Sequence, residues 1–153
     1  MTRSTEQQLL ESIPTQLLIN GVWQDSATGL KFAVDDPATG AELTTVADAS
    51  AVDARAAMDA AASAQASWAA TAPRDRSDIL RRAFELVRAN AEDFALLITL
   101  EMGKTLAEAH AEVNYGAEFL RWFSEEAVRA DGQYMPAPDG NARLLVKIGR
   151  AHV

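Results

Sequence analysis

The chain has 153 residues, 48% of them hydrophobic and 24% charged, and a net charge of −8. That is enough for one ordinary globular domain and too apolar for a disordered chain. The negative balance argues against nucleic acid or an anionic membrane as partner, and no apolar run approaches the ~18 residues of a membrane helix. Cysteine is absent, which excludes disulfides, cysteine-ligated zinc and a cysteine nucleophile within these residues.

Residues 1–16 are polar, carry two glutamates and close on Pro14. They lack the apolar centre of a signal peptide, so a flexible lead-in and a cytoplasmic protein are expected. Three short β signals follow, "LLINGVWQ", "LKFAVD" and "ELTTVA". Between them lie two similar turns, Ser26-Ala27-Thr28-Gly29 and Pro37-Ala38-Thr39-Gly40, each with glycine where a turn needs positive φ. Together they predict a small antiparallel hairpin layer.

After Asp48 the period becomes helical. Ser50 and Asp53 have the spacing of a capping box. Val52, Ala56, Ala60, Ala64 and Trp68 then recur every fourth residue, a stripe of mostly small side chains suited to close packing. Pro73 marks a second helix start. Its expected buried face is Ile79, Ala83, Phe84, Leu86 and Val87, continued past a bend near Asn90 by Phe94, Leu97 and Ile98.

The stretch "EMGKTL" ends in the Gly-Lys-Thr of a phosphate-binding loop. Such a loop needs another glycine five residues before Gly103, where Ile98 stands, so the nucleotide reading fails. Gly103 instead suits the left-handed end of a helix. Lys104 would lie by that helix's last carbonyls, and Thr105 with Glu108 would cap the next one. That third helix is expected to run to about Ala130. Its apolar residues, among them Leu106, Val113, Tyr115, Phe119, Leu120, Trp122, Phe123 and Val128, cover too wide an arc for three helices to bury. "YMPAPDGN" reads as a connector and "ARLLVKI" as one terminal strand in need of a partner.

No chemistry assembles from pattern alone. His110 lies near Glu108 and Glu112, but without metal-ligand spacing. Arg74, Arg76, Arg81, Arg82 and Arg88 spread around a solvated helix face rather than forming an anion patch. Trp68, Trp122 and Phe123 read as core. No catalytic, cofactor-binding or metal-binding residue is assigned.

The order of segments nevertheless resembles the N-terminal part of the aldehyde dehydrogenase superfamily. The resemblance is carried by "LLINGVW", "VDDPATGAEL", "AMDAAASAQASWAATAPRDRSDILRRAFELVRANAEDFALLITLEMGKTLAEA", "EVNYGAEFLRWFSEEAVRADGQYMP" and "RLLV". The joined "LEMGKTLAEA" and "YGAEFLRWFSEEAVRADG" are most similar to succinate-semialdehyde dehydrogenases, with glutarate-semialdehyde dehydrogenases and broader aldehyde dehydrogenases close behind.

The resemblance implies an α/β fold, of which this stretch is a small antiparallel hairpin layer plus three long helices and one terminal strand. Residues 17–140 would begin the NAD(P)-binding domain, and 141–147 would start an oligomerisation strand. It implies a small-molecule aldehyde substrate, a homo-oligomeric parent, and NAD or NADP bound by the parent but not by these residues. The family's cysteine nucleophile, its oxyanion-holding asparagine and its water-activating glutamate lie in segments beyond "RLLV". The third helix borders the substrate tunnel in the family, which makes Glu112, Tyr115 and Phe119 the candidate tunnel residues. Some relatives also hold a monovalent cation through backbone carbonyls, here near Val34 and Glu101.

Residues 148–153, "IGRAHV", depart from the family pattern. One choice of codons for them reproduces a common sequencing adapter, so they are expected to be non-native. Two readings stand at this stage: the N-terminal fragment of a semialdehyde dehydrogenase, inactive by itself, and a self-standing helical interaction module.

Overall fold

The computed structural model describes residues 6–130 and 132–147; the expectation for 148–153 lies outside them. The chain begins with α1 (Glu6–Ser12) and two β-strands, β1 (Leu17–Ile19) and β2 (Val22–Gln24). It continues with β3 (Lys31–Asp35), β4 (Glu42–Ala47) and four helices, α2 (Ala51–Ala70), α3 (Pro73–Ala89), α4 (Ala91–Met102) and α5 (Leu106–Glu126). It ends with β5 (Gln133–Pro136) and β6 (Arg143–Val146).

Within the stretch read as a flexible lead-in, α1 forms and rests on α4. The reason is Leu9, the one buried side chain of a helix whose other residues are exposed except for half-buried Leu10.

The strands make three separate antiparallel pairs, not one layer. "LLINGVWQ" is itself a hairpin: β1 pairs β2 through Leu18 opposite Trp23. Its two turn residues, Asn20 and Gly21, have φ of 51° and 77°. Two consecutive positive φ values define the tight turn whose twist matches a hairpin, and Asn-Gly is its favoured pair. Residues β3 and β4 pair from Lys31 opposite Ala47 to Asp35 opposite Glu42, with a register shift at Val34/Asp35. Their turn closes on Asp36, whose carboxylate accepts from Ala38 N at 2.8 Å and from Thr39 Oγ1 at 2.8 Å.

The terminal strand also finds its partner inside the chain. β6 pairs with β5 through Tyr134 opposite Leu145, so "QYMP", read as connector, is a strand. Every residue of both strands is solvent-exposed, and in the connection between them only Ala137 is half-buried.

Helix starts follow the sequence closely. Ser50 Oγ accepts from Val52 N and Asp53 N, while Asp53 Oδ2 accepts from Ser50 N at 2.8 Å. The Asp53 carboxylate also accepts from Ala27 N at 2.9 Å, which fastens the turn after β2 to the start of α2. Pro73 opens α3, and Thr105 with Glu108 forms the second capping box.

Two helical expectations change. The second helix divides into α3 and α4 at Asn90, whose side chain donates to Leu86 O at 2.8 Å in place of a continued turn. The α2 stripe stays bare: of Val52, Ala56, Ala60, Ala64 and Trp68, only Ala60 is half-buried. On α3, Ile79 and Leu86 are exposed, and the inward side is Ser77, Leu80, Ala83, Phe84 and Val87.

The core sits where α3 and α4 meet α5. Ala95 and Ala109 are both fully buried beside Val113, with Val87, Ala91, Ile98 and Leu106 packed around them. Alanine on both facing helices lets the backbones approach closely, so this small core leaves no room for an added methylene.

Candidate functional site

Helix α5 carries the candidate site, and its two sides differ in composition. Ala109, Val113, Ala117 and Ser124 face α3 and α4 and are buried. At about 100° per residue, Tyr115, Phe119 and Trp122 fall on the opposite side. They are 69%, 48% and 63% exposed, and Phe123 beside them is also exposed. The rings of Tyr115 and Phe119 meet edge to face with centroids 5.0 Å apart. Phe119, Trp122, Phe123 and Glu118 line a shallow hollow of about 300 Å³.

Of the three residues expected at a substrate tunnel, the structure brings Tyr115 and Phe119 together and gives Glu112 a different partner. Its carboxylate accepts from Lys104 Nζ. Lys104 therefore does not serve the last carbonyls of α4 as expected; it reaches forward over the first turns of α5, where a lysine next to two acids, Glu108 and Glu112, is better satisfied.

Trp122 and Phe123, read as core, are surface residues. Both are bulky and apolar, so composition placed them inside, but their helical phase is that of Tyr115 and Phe119, not of Val113 and Ala117. The shared phase was visible in the sequence, but which side of α5 turns inward is selected by packing.

Several of the other polar groups singled out in the sequence pair locally. His110 Nε2 lies 3.4 Å from Glu92 Oε2 and braces α5 against α4. Arg81 and Arg82 both approach Glu85, and Arg88 donates to Asn114. The arginines thus do not converge on one point. Among the described residues, no group of three or more His, Asp or Glu side chains is placed to hold a metal ion. No described helix is long and apolar enough to cross a membrane.

Three carboxylates are held below their ordinary values by donors at turns and helix starts. For Asp53 the largest cause is the Ser50 hydroxyl, then Ser50 N–H. For Glu108 it is the Thr105 hydroxyl, then Thr105 N–H, with the Lys104 charge adding to it. For Asp36 it is Ala38 N–H, then the Thr39 hydroxyl. These donors favour the ionised form of each carboxylate, two at helix starts and one in the turn between β3 and β4.

The Gly103-Lys104-Thr105 joint offers no cradle for a dinucleotide phosphate. Gly103 has φ 71° and ends α4, Lys104 is engaged by Glu112, and Thr105 caps α5. A Cβ at Gly103 would sit 3.2 Å from Pro37 Cγ, so this joint packs on the turn between β3 and β4. The contact brings the segment after Val34 to the end of α4 that carries Glu101.

The arrangement of hairpins and helices around an aromatic outer face is decided by one match: the aldehyde dehydrogenase family pattern covers residues 23–148. The chain belongs to the aldehyde dehydrogenase family. Over 105 residues it is 64% identical to a succinate-semialdehyde dehydrogenase of Paenarthrobacter nicotinovorans, covering 69% of this chain and 23% of that one. It is 43% identical over 131 residues to the NADP(+) succinate-semialdehyde dehydrogenase of Escherichia coli, covering 86% of this chain and 27% of the relative. A Staphylococcus aureus betaine aldehyde dehydrogenase, solved in complex with NAD+, superimposes with a TM-score of 0.84 at 26% identity. That match covers 87% of this chain and 27% of the other. The chain therefore spans about a quarter of the length of these aldehyde dehydrogenases.

Proposed function

We propose that this chain is the N-terminal part of an NAD(P)+-dependent semialdehyde dehydrogenase, with succinate semialdehyde as substrate. The 64% identity to the Paenarthrobacter enzyme is the observation that carries this reading. In it, a nicotinamide cofactor accepts hydride from the aldehyde carbon, and a thiolate elsewhere in the enzyme holds the substrate during transfer. Residues 6–147 hold no cysteine and no phosphate cradle, so their part is scaffold. The small-residue core of α3, α4 and α5 fixes α5 rigidly. The outer side of α5 then presents Tyr115 and Phe119 as an apolar wall of the aldehyde entrance, with Glu112 held to the rim by Lys104.

The hairpin of β5 and β6, exposed throughout its strands, is the natural start of a bridging element between subunits, since paired strands with free outer edges accept another strand. The residues by themselves would not turn over substrate.

The test is kinetic. An enzyme carrying this segment and the rest of the family fold is assayed with succinate and glutarate semialdehydes. Oxidation with a higher kcat/KM for succinate semialdehyde is expected. An enzyme that oxidises neither would contradict the reading, and a preference for the five-carbon substrate would reassign it.

A further inference from the structure

The turn between β1 and β2 joins two residues whose chemistry goes beyond closing a hairpin. Among the described residues, Asn20 is the only one other than glycine with a positive φ. Both it and Gly21 are exposed, and a Cβ added at Gly21 would meet nothing within 4 Å. Among the described residues no hydrogen bond engages the Gly21 nitrogen or the Asn20 side-chain amide. An asparagine carboxamide and the next backbone nitrogen are spaced to close a five-membered ring, and glycine removes the Cβ that otherwise obstructs the closure. The strands restrain this turn weakly. β1 and β2 have three residues each and form a sheet of their own, and Leu18 and Trp23, opposite each other, are both exposed. An isolated two-stranded sheet is marginal in water and opens locally at low cost.

We propose that Asn20-Gly21 is a self-modification site at which the chain deamidates, with water as the co-reactant. The Gly21 nitrogen gives its proton to solvent base and attacks Asn20 Cγ. The new N–C bond closes a succinimide, the Cγ–Nδ2 bond breaks, and ammonia leaves. Water then opens the ring at Cγ, giving aspartate, or at the backbone carbonyl carbon, giving isoaspartate, whose main chain runs through Cβ and Cγ. Nothing is oxidised or reduced; an amide nitrogen is exchanged for a water oxygen, and a negative charge is gained. Isoaspartate lengthens the turn by a backbone carbon. Turn length sets hairpin register, so Leu18 then no longer meets Trp23, and a hairpin that is closed in new chains stays open in aged ones.

The same ring closure is opposed elsewhere. Asp139-Gly140 has the right spacing, but Gly140 N donates to Ala137 O at 2.8 Å and Asp139 Oδ1 accepts from Asn141 N at 3.1 Å. Asn141 precedes Ala142, whose Cβ crowds the attacking nitrogen. The Asn90 side chain donates to Leu86 O at 2.8 Å, and Asn114 lies within α5 and accepts from Arg88.

The test incubates the full folded chain in mildly alkaline buffer, digests samples over time, and follows each asparagine peptide by mass spectrometry. Asn20 should convert about tenfold or more faster than Asn90, Asn114 and Asn141. Its rate in the folded chain should fall within about tenfold of the rate in urea, since the hairpin opens readily. Isoaspartate should be the major product, and conversion should speed up as pH rises. Asn20→Gly, which keeps a residue pair suited to this turn, should abolish most of the ammonia released by the chain. Another asparagine converting as fast as Asn20 overturns the inference. So does Asn20 surviving intact in the folded chain while it reacts in urea, aspartate formed without isoaspartate, or ammonia release undiminished in Asn20→Gly.

Discussion

Helices α2 and α5 begin in the same way and end up in opposite circumstances. Each opens with a hydroxyl and a carboxylate in a reciprocal capping box, and each runs for about six turns. Yet α5 buries Ala109, Val113, Ala117 and Ser124, while α2 buries only Asp53, a residue of its cap. Local signals suffice to start a helix, but burial depends on what lies across from it. Alanine-rich α2 keeps its shape through propensity and its cap, whereas α5 is held by tertiary contact. Its outer aromatic side shares the situation of α2: formed, and uncovered by any described residue.

The comparison breaks most severely at the core. Val113→Asp would place a charge without a partner between α4 and α5; a loss of several kcal/mol is expected, read as collapse of the cooperative transition in chemical denaturation. The same change at Ala61 on α2 should barely register, and equal effects at both sites would dissolve the contrast.

Ala109→Leu adds volume where Ala95 and Val113 leave none, at a cost of about 1–3 kcal/mol by the same measurement.

Ser50→Ala removes the cap of α2 and should cost about 1 kcal/mol, more visibly in helical circular dichroism than in loss of the core, since α2 has little else to hold it.

Acidification sharpens the comparison further. The carboxylates of Asp53, Asp36 and Glu108 titrate below their ordinary values of 3.8, 3.8 and 4.5. The folded state therefore binds fewer protons there than the unfolded state. Their contribution is present above those values and is lost as pH falls through the lower, folded-state ones. Helical signal should hold from neutrality to about pH 5 and decline below pH 4, with Asp53→Asn flattening the decline in α2.

The smallest stability effect is expected on the outer side of α5. Trp122→Ser should change folding free energy by no more than about 0.5 kcal/mol while raising the concentration at which the chain aggregates, measured by light scattering.

How much of this was legible in sequence follows from range. The caps at Ser50 and Thr105, the proline start at Pro73 and the left-handed Gly103 involve groups a few residues apart, and each stood where its pattern placed it. The family, and with it the fold class, was legible from the order of segments. Pairings across longer stretches were harder to see. Asn20-Gly21 was a hairpin turn inside what looked like one strand. "QYMP", with proline at its end, hid the partner of "RLLV". Leu9 was a lone anchor in a polar lead-in. For the candidate site, the i, i+4, i+7 relation of Tyr115, Phe119 and Trp122 was present in the sequence. That this side faces away from α3 and α4 was not, because the apolar arc of α5 is nearly continuous and only packing selects which part goes inward.

The most direct measurement follows reduction of NAD+ and NADP+ by succinate semialdehyde, first with this chain alone and then with the same residues joined to the remaining three-quarters of a family enzyme. The account predicts no reduced cofactor in the first case and steady turnover in the second. Turnover by the chain alone, or none by the joined protein in a folded state, would contradict it.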